Sequence, residues 1–170
     1  MSRHLADDID QRYVTPTPDV HGMSSWSAHP HQGWAREYRT APIVMDELYL
    51  AAGSMPIVFE PIQNGARPVA LIDCGAGNMI LESGHWAGAY VPGILRAHPF
   101  APDADGGVRL DPDSAFFNDS PNGKRLFDPL GIPTPDFAKV QSFCAALGPA
   151  LRRSQALGTA LWQSGVLQPA

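Results

Sequence analysis

Residues 55 to 75 read MPIVFEPIQNGARPVALIDCG. Two runs rich in β-favouring residues, MPIVFEPI (55–62) and PVALIDCG (68–75), flank QNGAR. An Asn64-Gly65 pair between such runs is a strong short-range signal for a hairpin. NMILE (78–82) follows a further Gly-rich turn and is expected to add a third antiparallel strand. Upstream, APIVMDELYLAA (41–52) suits a short helix, with Leu48 and Ala52 four apart and an acidic pair near its start; Gly53 and Pro56 end it.

Downstream, PDADGGVRLDPDSAFFN reads as a turn and a short strand around Val108 to Leu110. Thr134-Pro135-Asp136 then supplies an N-cap, a proline at the first helical position and a first-turn acid. Phe137, Val140, Phe143, Cys144 and Leu147 fall on one helical face. Gly148-Pro149 is expected to break that helix, which restarts through Leu151, Leu157, Leu161 and Trp162 until Gly165. The fold class expected is therefore α+β: a small antiparallel β-meander with a C-terminal helical pair. Residues 1–40 read instead as an extended N-terminal arm ahead of a domain over 41–170, because TPTPD and HPHQG interrupt any regular period. Trp26, Trp34 and Tyr38 break the arm's polarity, so it should dock, on its own domain or on a neighbouring subunit.

Composition narrows the function classes. The 170 residues carry 44% hydrophobic and only 17% charged side chains, with 16 Gly and 17 Pro, so loops rather than charge fill the gaps between apolar runs. A net charge of −5, with the cations forming no patch beyond pairs such as Arg152-Arg153, argues against a nucleic-acid partner. No window approaches the ~18 apolar residues of a membrane span. The N-terminus MSRHLADDIDQRYV has no apolar core of a signal peptide. Synthesis in the cytoplasm without a cleaved signal is expected, with the cell surface or a virion as destination. Cys74 and Cys144 read as two buried free thiols, although an exported chain could join them.

The titratable residues do not assemble into a familiar catalytic pattern. His29 and His31 flank a proline, His85 and His98 sit further on, and no H-x-x-x-H appears, so no metal or other cofactor is expected. Asp103-Ala-Asp105-Gly106-Gly107 opens like an acidic calcium loop, but the closing bidentate Glu is missing and Asp-Gly is ordinary turn chemistry. A Cys74–His85 couple would need a thiol that instead ends an apolar strand. No catalytic residue is assigned.

The densest aromatic stretch is GHWAGAYVPGILRAHPF (84–100). Trp86, Gly88 and Tyr90 alternate with small residues as on a strand; Pro92-Gly93 should then bend the chain, and His98-Pro99-Phe100 should force an extended exit. Arg96, flanked by apolar residues, reads as an internal tie to backbone carbonyls or an Asp.

This stretch resembles a motif of the SapC family, bacterial proteins associated by name with the paracrystalline surface layer. Gly84, Trp86, Tyr90, Val91, Pro92, Gly93, Arg96, Pro99 and Phe100 carry the pattern, with Ala97 and His98 departing from an Arg and a Tyr. Glu47, Leu48, Ala51, Ala52 and Pro56 to Phe59 are similar to an upstream family segment; PVALIDCGAGNMIL keeps its Asn78, and GKRLFDPLG (123–131) matches a later one. The resemblance spans residues 42 to 168 in order, as a short version of longer members, and carries over neither a catalytic residue nor a mechanism. It implies a non-catalytic structural or assembly protein of a surface layer or ordered particle, working through self-association or contacts with neighbouring subunits. A bacteriophage virion component is the alternative within that class. Outside it stands an enzyme or ligand binder with a pocket around Trp86, Tyr90, Arg96 and His98.

Overall fold

The computed structural model describes residues 3–27, 31–103, 105–118 and 122–167. Arg3–His4 (β1) leads directly into Leu5–Arg12 (α1), and a short turn of helix, Pro18–His21 (α2), precedes Ser25–Trp26 (β2). Tyr38–Pro42 (β3) and Leu48–Ala52 (α3) lead to the hairpin of Ile57–Ile62 (β4) and Gly65–Leu71 (β5). Gly93–Ala97 (α4) is followed by Phe100–Pro102 (β6), Val108–Leu110 (β7), Phe117–Asn118 (β8) and Lys124–Arg125 (β9). Pro135–Gln163 (α5) closes the fold. The architecture is α+β.

The hairpin forms where the sequence places it. Ile57 pairs with Ala70 and the ladder runs to Ile62 opposite Gly65, leaving a two-residue loop in which Asn64 takes the left-handed conformation (φ 63°). Gly65 serves another purpose. A Cβ there would lie 2.8 Å from Cβ of Thr159 on α5, and one at Gly158 would lie 2.5 Å from the Ala66 carbonyl oxygen. Two glycines thus let α5 cross the hairpin at backbone contact distance.

Three expectations are corrected. The third strand does not form: residues 78–82 make only isolated bridges, Asp73 with Asn78 and Ile80 with Trp86. The main sheet instead has the order β1-β3-β5-β4, with β1 parallel to β3 and the other pairs antiparallel, so it is not a simple meander. The helical pair is one helix of 29 residues that passes through Pro149. The proline removes one intrahelical donor, but the buried face continues across it, with Cys144, Leu147 and Gly148 before and Ala150, Ser154 and Gly158 after. Packing holds the helix where local chemistry would break it. The start is as expected: the Thr134 hydroxyl accepts from the Phe137 N–H at 3.3 Å.

The third correction concerns the arm. Leu5, Ile9, Tyr13 and Tyr38 are buried in the same cluster as Ile94, Leu95, Leu147 and Ala150. Trp26 is buried in a second cluster with Phe100, Leu126, Phe127, Phe137 and Cys144, its ring meeting Phe100 edge-on at 5.2 Å. Trp34 stacks on His98 at 3.6 Å. These aromatics dock on their own chain, and position 40 lies within β3 rather than at a boundary. The physical reason is amphipathicity: Leu5, Ile9 and Tyr13 recur every four residues, so α1 has an apolar face that only a core can cover.

Candidate functional site

The GHWAGAYVPGILRAHPF stretch wraps one buried carboxylate. Glu47, just before α3, is held by the chain reversal after β3, and its Oε1 accepts from the Tyr90 hydroxyl at 2.6 Å, the Gly93 N–H at 2.8 Å and Arg96 Nη2 at 3.3 Å. Its Oε2 accepts from the Val44 N–H at 3.4 Å. Arg96 donates through Nε to the Val91 carbonyl at 3.1 Å and rests between the rings of Tyr90 and Phe143. Arg96 is therefore an internal tie, as its apolar neighbours suggest, but to a Glu rather than an Asp. Gly93 is required here, because a Cβ would lie 2.8 Å from Glu47 Oε1. Burial, the hydrogen bond to Glu47 and the carboxylate's charge push the Tyr90 phenol up to about 12.

No strand forms over 86–91, in contrast to the alternation in the sequence. The segment bends around Glu47, and after Pro92 the chain enters α4 instead of turning away. Trp86 packs its ring against the third core cluster, of Ile43, Ala51, Met55 and Ala70, as does Tyr90. The Trp86 indole N–H is buried with no acceptor among the described residues.

His98 faces a different environment. It is buried, with Nδ1 3.3 Å from the Tyr13 hydroxyl and Nε2 3.0 Å from the Ser114 hydroxyl, and a cis bond joins it to Pro99. Trp34 covers one ring face and Phe116 meets it edge-on. Phe100 belongs to the Trp26 cluster. The four residues expected to line one pocket therefore divide: Tyr90 and Arg96 meet on Glu47, Trp86 packs beside Tyr90, and His98 fastens the N-terminal segment through Tyr13 and Trp34.

Two further carboxylates, missed in the sequence, make the same kind of junction. Asp8 on α1 accepts from Tyr38 at 2.7 Å, Arg12 at 3.1 Å and Arg3. Burial alone would raise its carboxyl, but the Tyr38 hydroxyl and both guanidiniums together hold it below the usual carboxylate range. Glu60 on β4 joins His4 at 2.6 Å, Thr40 at 3.0 Å and Arg67 at 2.6 Å. The usable signal was an acid within an otherwise apolar, β-type or amphipathic run, a position where a charge persists only with partners.

The remaining candidates separate in space. Cys74 and Cys144 are free thiols; Cys144 is buried, and burial pushes it up to about 12, whereas Cys74 is exposed and donates to the Gly77 carbonyl at 3.3 Å, correcting the expectation of two buried thiols. His85 meets Ser83 at 3.2 Å and lies edge-on to His31, their centroids 6.1 Å apart; His29 lies outside the described residues. Asp103 lies at the β6–β7 turn, where its backbone bonds Gly106 and Gly107. No cluster of three or more His, Cys, Asp or Glu able to hold a metal occurs among the described residues, and no described helix is long and apolar enough to cross a membrane.

The surface has one further organised feature. Asp128 Oδ1 accepts from the N–H groups of Leu130 at 2.8 Å and Ile132 at 2.9 Å, and Gly131 takes φ 78° with its open side against Pro18. This tight loop shares a shallow hollow with Pro18, Gly22 and Met23. Around it Val20 is 74% exposed, Met23 71%, Leu130 83% and Ile132 56%.

The family model for SapC matches residues 17–170, most of the chain. The chain belongs to the SapC family. No curated protein and no solved structure matches it. The SapC match includes the whole wrap around Glu47 and the Asp128 loop, while α1 lies outside it.

Proposed function

We propose that this SapC-family protein is a non-catalytic structural or assembly protein of a surface layer or ordered particle, acting through contacts between copies of itself. The observation that carries this reading is the apolar display of Leu130 and Ile132, on a loop made rigid by Asp128, beside Val20 and Met23 of the α2 segment that packs next to it. Large apolar side chains held this far into water by a fixed backbone favour burial against another protein. Full burial of a large apolar side chain is worth roughly 1.5–3 kcal/mol, so four of them, about two-thirds exposed, contribute about 4–8 kcal/mol. That is comparable with the roughly 4–15 kcal/mol cost of association, so one such contact is weak alone and becomes effective when repeated. Tyr49 and Leu50 on α3 form a second exposed apolar group. Two unlike patches suit head-to-tail contacts, which propagate instead of closing at a dimer.

The test is solution mass by light scattering across a concentration series. The wild type should exceed the 18.3 kDa of one chain, and the double variant Met23→Glu, Leu130→Glu should return to it. If wild type and variant both remain at monomer mass throughout, the self-association reading is wrong.

A further inference from the structure

Between α1 and α5 the surface opens into a cleft of about 180 Å³. Ile9 and Asp10 stand on the α1 side, Leu151 and Arg152 on the α5 side, and the buried Ile43 and Ile94 form the floor. The volume is below the roughly 300–1,000 Å³ of sites that take drug-sized ligands, so any occupant is small.

Charge determines which small molecule fits. Arg67 and Asp103 also reach the cleft, but the Arg67 guanidinium is committed to Glu60 at 2.6 Å and Asp7 at 3.3 Å, and Asp103 is likewise engaged within the chain. Asp10 and Arg152 are different: among the described residues neither forms an ion pair, although the neighbouring Arg153 reaches Asp46 at 3.9 Å. The cleft therefore presents an apolar floor with one uncommitted carboxylate and one uncommitted guanidinium on different walls. A simple anion would find Arg152 but be repelled by Asp10, and a simple cation would meet the converse. A ligand bearing both charges on a short apolar body satisfies both.

We infer that this cleft binds a small aliphatic amino acid, its side chain on Ile9, Ile43, Ile94 and Leu151, its ammonium toward Asp10 and its carboxylate toward Arg152. Asp10 and Ile9 precede the residues matched by the family model, so one wall of this site comes from a helix outside the SapC match. The inference is independent of the apolar display around Leu130, which lies on other elements.

The test uses methyl-labelled full-length protein titrated with L-leucine, and with 4-methylvalerate and isoamylamine as analogues bearing one charge each. L-leucine should shift the methyl signals of Ile9, Ile43, Ile94 and Leu151 saturably. Each analogue should bind about tenfold more weakly or worse, since loss of one charge-assisted contact is worth about that factor or more. Asp10→Asn should reduce the preference for leucine over 4-methylvalerate to near unity, and Arg152→Gln should do the same against isoamylamine. Both side chains are exposed, so unchanged thermal midpoints verify that the variants fold. Absence of a saturable shift up to about 10 mM leucine, a millimolar-range affinity being the weakest such a site would show, overturns the inference. So do shifts confined to other methyls, or analogues that bind as well as leucine.

Discussion

Removing residues 1–40 should unfold the protein rather than trim it. The deletion takes away Leu5, Ile9, Tyr13, Trp26 and Tyr38, all buried, and the greater part of β3, the strand between β1 and β5. At roughly 1.5–3 kcal/mol for each large apolar side chain buried, five such losses total about 8–15 kcal/mol. The whole stability of a domain this size is about 5–15 kcal/mol, so the remainder cannot keep its core. The ion pairs of Asp8 with Arg12 and of Asp7 with Arg67 disappear as well, leaving Arg67 short of a partner. Near-UV circular dichroism and urea unfolding provide the assay: the truncated chain should lose its aromatic signal and its cooperative transition. Leu5→Ala gives a graded companion, with an expected cost of about 2–5 kcal/mol for a large-to-small change in a core. Were the truncated chain to keep a cooperative transition near the wild-type midpoint, the segment would be a detachable arm and the assignment of its residues to the core would be wrong.

Two other predictions concern the wrap around Glu47. Glu47→Ala should cost about 3 kcal/mol in urea unfolding, because it strands the buried Gly93 N–H and removes an ionised acceptor; Glu47→Gln, which keeps an acceptor oxygen, should cost about 1 kcal/mol, and a change below 1 kcal/mol for Ala would deny the carboxylate its role. Raising the pH should destabilise the protein from its tyrosines: Tyr90 is raised from 10.0 to about 12, and Tyr13 and Tyr38 are also raised, chiefly by burial. The folded state keeps phenolic protons that the unfolded chain loses, so this stability is intact below about pH 10 and declines as pH rises through 10–12. Urea midpoints from pH 8 to 12 should show that fall, less steep in Tyr90→Phe; an identical slope in the variant would count against the Tyr90 assignment.

How much could be read from sequence depended on whether a signal was local. Asn64-Gly65 and Thr134-Pro135-Asp136 act within a few residues, and both produced the expected turn and cap. Pro149 is equally local but misleads, since the continuous buried face of α5 outweighs one lost hydrogen bond. The N-terminal segment was misread because prolines and histidines after Thr15 obscured the Leu5, Ile9, Tyr13 spacing, which is short but properly helical. Glu47 was visible as a helix-start acid, but its convergence with Tyr90, Gly93 and Arg96 depends on a chain reversal more than forty residues long. Leu130 was visible within the GKRLFDPLG motif, whereas its exposure alongside Val20, Met23 and Ile132 is a tertiary property.

The core cluster shared by the first helix and the last has a consequence for synthesis. Leu5 and Ala150 share one core cluster while standing 145 positions apart in the chain. At roughly 5–20 residues per second on the ribosome, about 7–29 s separate the emergence of the two. Throughout that interval the core cluster that holds Leu5, Ile9 and Tyr13 lacks its α5 members, Leu147 and Ala150, and contacts closing so long a loop form late. The nascent chain therefore carries this core cluster incomplete until the residues of α5 have emerged.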